Sequence, residues 1–115
     1  LAYIAARMIN TDDDIMSHMA IGAGTAATTG TDAALGSELA RVALTSATNV
    51  TTTVTDDAVQ YVATFLPGTG TGAVTEAGTF NDATAGTMLC RTVFDVINKG
   101  AFDTLTVTWK ITIEA

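Results

Sequence analysis

Residues 105–113, Leu-Thr-Val-Thr-Trp-Lys-Ile-Thr-Ile, alternate apolar and polar without a break. Leu105, Val107, Trp109, Ile111 and Ile113 fall on one face; Thr106, Thr108, Lys110 and Thr112 fall on the other. Successive side chains of a strand point to opposite faces, so the stretch predicts a β-strand with one buried and one wet side. β-Branched and aromatic residues fill nearly every position, which suits a pleated surface. Burying the five apolar side chains contributes about 7–15 kcal/mol gross, at about 1.5–3 kcal/mol each. The only Trp of the chain is here. The core is therefore expected to be built around Trp109, packed with Val107, Ile111, Tyr61 and Phe65.

The rest of the chain supplies partners for that strand. Strands are expected at 16–22, at 38–48 (Leu39, Val42, Leu44, running on through Thr-rich sequence to Thr55), at 59–66, at 74–80 and at 87–97. Asp56-Asp57, the run Pro67-Gly68-Thr69-Gly70-Thr71-Gly72, residues 81–86 and Asn98-Lys99-Gly100 carry the turn chemistry between them. Short strands at this spacing predict one all-β domain over residues 1–115, an antiparallel β-sandwich or barrel. Two segments stand apart from it. Residues 1–10 read as a helical N-terminal segment, with a short helix over 2–9 and an apolar stripe of Ile4, Met8 and Ile9. Eight residues are too few for a helix stable alone in water, so the stripe is expected to pack on its own domain or on a neighbour. Residues 22–36, rich in Gly, Thr and Ala, read as a flexible arm that orders against a partner.

Charge narrows the partners. Five basic residues stand against 12 acidic ones, a net charge of −7. A nucleic-acid ligand needs a basic footprint, and an anionic membrane surface repels such a chain, so neither is expected. Charged residues make up 15% of the chain, while threonine supplies about one residue in five, against an ordinary charged share of about a quarter. A surface that sparsely charged suits a protein packed against neighbours.

The groups that could carry chemistry are few. Cys90 is the only cysteine and His18 the only histidine, so no internal disulfide or conventional zinc site is expected. The lone thiol fits synthesis in a reducing cytoplasm. Asp12-Asp13-Asp14 lacks the spaced ligands, Gly and terminal Glu of a calcium loop. Gly22-Ala23-Gly24 lacks the Lys of a phosphate loop and is followed by strand-like sequence. No nucleophile stands beside a base, and no enzyme, cofactor or metal is expected. Glu76 and Arg91 are charges embedded in apolar or small strand sequence. Strand charges in a half-buried setting are tolerated mainly as pairs, so the two are a candidate bridge across strands or between subunits.

Five segments carry a resemblance: His18-Met19-Ala20-Ile21-Gly22, Ala34-Leu35-Gly36-Ser37-Glu38-Leu39-Ala40-Arg41, Glu76-Ala77-Gly78-Thr79-Phe80, Met88-Leu89-Cys90-Arg91-Thr92-Val93-Phe94 and Asp103-Thr104-Leu105-Thr106-Val107-Thr108-Trp109. In that order they resemble small structural proteins of tailed bacteriophages and the collar-type N-terminal domains of phage tail fibres. The pattern there runs HIAIG, GT, ALG-E, EAGLF, LARTTF, DTLTVTW. Thr79 stands where the family has Leu, as a surface position would allow. The resemblance implies a virion structural protein without catalytic residues. The role expected first is a capsid decoration (cement) protein on the outer surface of the head. It would bind between subunits of the major capsid protein and with itself as a homotrimer. Ile4, Met8, Ile9, Glu76 and Arg91 are its candidate interface residues. A tail component, a collar or fibre-attachment domain, is the alternative; no fibre repeat or coiled coil follows the last strand, which places it second.

Overall fold

The computed structural model describes residues 14–113 together with Met8. Its strands are β1 (His18–Gly22), β2 (Glu38–Ala43), β3 (Ser46–Val50), β4 (Ala58–Phe65), β5 (Gly72–Phe80), β6 (Met88–Lys99) and β7 (Leu105–Thr112). They form two antiparallel sheets, one of four strands in the order β2-β1-β5-β6 and one of three in the order β3-β4-β7. The expectation of an all-β antiparallel sandwich holds. The helix expected over residues 2–9 lies outside the described residues, apart from Met8, which is exposed.

The chain passes between the sheets at 44–45, 66–71 and 100–104. At the first crossing the Leu44 N–H donates to the Ser17 carbonyl (2.9 Å) beside the larger sheet, and the Thr45 N–H to the Val62 carbonyl (2.7 Å) in the smaller one. The strand expected to run on from residue 38 therefore divides here. No Gly or Pro marks the break. At the β3–β4 turn the Asp57 carboxylate accepts from the backbone N–H groups of Thr52, Thr53 and Val54 and from the Thr52 hydroxyl.

The core lies between β1 and β5 on one side and β4 on the other. Met16, Met19, Ile21, Val74 and Ala77 meet Tyr61, Ala63 and Phe65, all nearly or fully buried. Each large apolar side chain there contributes about 1.5–3 kcal/mol. This corrects the expectation for the last strand. Leu105, Val107, Trp109 and Ile111 touch this core but are only half-buried, because β7 is a sheet edge with β4 on one side alone. Trp109 stands opposite Tyr61 in the ladder and borders the core instead of centring it. Thr79 is also corrected: it is fully buried, opposite Met19 on β1, so its place is no surface position.

Candidate functional site

The outer face of the four-stranded sheet, the face turned away from the core, holds a densely hydrogen-bonded polar cluster. Glu76 on β5 is fully buried. Its Oε2 accepts from the Gly24 N–H (2.7 Å) and the Ser37 N–H (2.8 Å). Its Oε1 accepts from the Gly36 N–H (2.8 Å) and from Arg91 Nε (2.7 Å). Both ends of the 23–37 arm thus converge on one carboxylate. The Thr75 hydroxyl adds a bond to the Gly24 carbonyl (2.7 Å), and the Ala23 N–H donates to the Ser37 carbonyl (2.8 Å). Leu35 packs from the arm onto Ala20, Phe80 and Met88 of the sheet. The middle of the arm, residues 25–31, is exposed.

Glycine makes this approach possible. A Cβ on Gly24 would lie 2.5 Å from Glu76 Oε2, and one on Gly22 would lie 2.5 Å from both that oxygen and the Ser37 carbonyl. Any larger residue at either place would displace the carboxylate or the arm.

Arg91 reaches across from β6. Besides Glu76 it donates through Nη1 to Asp32 (3.3 Å) on the arm, and its side chain is 3% exposed. Burial alone would raise the pKa of Glu76, but Arg91 and the three backbone N–H groups outweigh it and hold the carboxyl below its usual range. Glu76 in turn raises the pKa of Arg91. Asp32 is held low first by the Thr29 N–H, then by the Thr29 hydroxyl and Arg91. A second arginine ties the same face. Arg41 on β2 lies over the Phe80 ring, 3.7 Å from its centroid, and donates to the carbonyls of Asp82 (3.1 Å) and Ala85 (2.7 Å) in the β5–β6 turn. It also pairs with Glu38 at 2.8 Å.

The pairing of Glu76 with Arg91 expected from the sequence is present, and it lies within one chain. Both side chains are buried beneath the arm. Ile4 and Ile9 lie outside the described residues, and Met8 is 81% exposed. What the sequence reading missed is the rest of the cluster: Asp32, and the amides of Gly24, Gly36 and Ser37. Backbone donors leave no signature of residue type. The one available signal was the glycine pair Gly22 and Gly24, which sequence reading assigned only to a loop.

Chemically the cluster holds and does not react. Each Glu76 oxygen already accepts two hydrogen bonds, so a proton or a metal could bind there only by displacing one of them. Between the arm and β6 a cavity of about 220 Å³ is lined by Thr29, Asp32, Met88, Cys90 and Arg91 among others. Arg91 Nη2, the one enclosed side-chain donor without an acceptor among the described residues, is sealed from solvent and therefore from that space. Cys90 is half-buried, with burial raising its pKa and the Thr79 hydroxyl 3.7 Å from its sulfur; such a thiol is a poor nucleophile. His18 is tied locally, its Nδ1 2.8 Å from the Ser17 hydroxyl.

Neither a family model nor a curated protein sequence matches the chain.

Proposed function

We propose that the chain is a structural protein of a tailed-phage virion, a capsid decoration protein that binds as a homo-oligomer between major capsid protein subunits on the outer surface of the head. The order of the five segments in the sequence carries this reading. Four of them meet at one place: Gly22, Gly36 with Ser37, Glu76 and Arg91 all belong to the cluster on the outer face. The resembling segments therefore encode a way of fastening an arm to a sheet, as a scaffold protein requires. The role is adhesive. A protein that binds only the assembled shell stabilises that shell by mass action, and a chain of net charge −7 is expected to do so through apolar and backbone contacts that respond weakly to salt.

The test is location and occupancy. Labelled protein should decorate heads in negatively stained virions, and purified heads lacking it should bind it back and survive higher temperature. Label confined to the tail would replace this reading with the collar or fibre-attachment role. Absence from both would overturn the virion assignment.

A further inference from the structure

Among the described residues the sandwich has four edge strands, and three of them are blunted in the ways that discourage strand addition. β3 is five residues long. β2 carries the Glu38–Arg41 ion pair and meets β1 with a register shift at Ile21/Gly22. β6 is shifted twice against β5 and carries the exposed Asp95. β7 differs. Its eight residues pair with β4 in unbroken register from Ala58↔Thr112 to Phe65↔Leu105. It contains no Pro or Gly, and Lys110 is its only charge.

In a strand the N–H and C=O of one residue point to one side and those of the next residue to the other. Four residues of β7 therefore face β4, and four present their backbone donors and acceptors to an edge where no described strand lies. Along that edge the half-buried Leu105, Val107, Trp109 and Ile111 line the open margin of the core.

We propose that this edge pairs with β7 of a second copy, antiparallel about a two-fold axis at Thr108, joining two three-stranded sheets into one of six in the order β3-β4-β7-β7-β4-β3. The strand is complementary to itself in this register. Trp109 stands opposite Val107 of the other copy and Leu105 opposite Ile111, pairing aromatic with β-branched and apolar with apolar. On the outer face Thr108 meets Thr108, repeating the threonine pair already formed between β4 and β7, where the Thr64 and Thr106 hydroxyls lie 3.3 Å apart. Lys110 meets Thr106, so the one charge never meets its own copy. Electrostatics point to the same place. In a chain of net charge −7, two copies approach most easily where each presents a lysine and no acid. The pairing is isologous, so it builds a dimer; the homotrimer expected from the sequence would need another surface. It is independent of the shell reading, which is tested by occupancy on heads.

The experiment is sedimentation equilibrium of the full chain from micromolar to millimolar concentration, with hydrogen exchange of the β7 amides at both ends of that range. Wild type should dimerise. Only the β4-facing amides of β7 should be protected when dilute, and the alternate amides should gain protection when concentrated. Thr106→Lys with Thr108→Lys changes two exposed side chains and creates three opposed lysine pairs in the dimer. It should weaken self-association by about ten- to a hundredfold while leaving circular dichroism and the dilute exchange pattern unchanged. A wild-type monomer at every concentration, a trimer, or a dimer indifferent to the double variant would each overturn the proposal. Protection of the alternate amides only on phage heads would also overturn it and assign the edge to a strand of the shell.

Discussion

Two flanks of the sandwich resolve the same problem in opposite ways. On the outer face of the larger sheet an arm whose one large apolar side chain is Leu35 is fastened by a buried carboxylate, and Leu35 packs onto the sheet. On the β6–β7 side, apolar side chains are plentiful and stay half-buried, because both strands are edges. The first flank is closed by hydrogen bonds and the second is left open. Hydrophobicity alone would have ranked them the other way round. What decides the difference is whether the backbone polar groups find partners: those at the two ends of the arm do, and those along the free edge of β7 meet no described strand.

The largest effect that could break this contrast is at Glu76. Glu76→Ala would leave the buried Arg91 with only the longer pairing to Asp32 (3.3 Å) and three arm amides without an acceptor, and should destabilise the fold by about 3–5 kcal/mol in denaturant melts. Glu76→Gln keeps the shape but loses acceptor capacity, and should cost about 1–3 kcal/mol. The two proteins should also differ in pH dependence. The folded pKa of Glu76 lies below its unfolded value, so its contribution is full above the unfolded pKa of about 4.3 and is lost as pH falls through the lower folded value. Wild type should therefore lose its advantage over Glu76→Gln on acidification, while the part due to Asp57, also held low, first by the Thr52 hydroxyl, is common to both. Equal stability of wild type and Glu76→Ala at neutral pH would show that the carboxylate does not hold the arm.

Next in size is a pair of truncations. Phe65, fully buried on β4, should cost about 3–5 kcal/mol as Phe65→Ala, and Trp109→Ala, half-buried on the edge, about 2 kcal/mol. If the tryptophan proves the costlier, the core is centred on β7 after all. The smallest effect is at Phe102, 92% exposed in a turn braced by the Asp103 carboxylate on the Gly100 N–H (2.7 Å). Phe102→Ser should change stability by no more than about 0.5 kcal/mol.

Much of the fold was legible in period-two patterning. The strands at 58–65, 72–80, 88–99 and 105–112 fall where alternation or turn residues place them. The failures have physical causes. Alternation in β7 reports which face is apolar but not how many strands cover it, so an edge strand read as the centre. The crossing at Leu44 and Thr45 needs only two bonds turned to different sheets, and no residue type announces that. Thr79 reads as a surface residue because it stands where the resembling proteins have Leu, yet it is fully buried with its hydroxyl near the sulfur of Cys90. At the cluster, the pairing of Glu76 with Arg91 was readable as charge within small and apolar sequence. The fastening of the arm was not, because its donors are backbone amides 39 to 52 residues away along the chain.

The most direct test of the account is residue-resolved hydrogen exchange at the amides of Gly24, Gly36 and Ser37, in wild type and in Glu76→Gln. A fastened arm predicts strong protection of all three in wild type, approaching that of the core strands, and its loss in the variant while β4 stays protected. Fast exchange at these amides in wild type would contradict it, showing an arm that lies on the sheet without being held there.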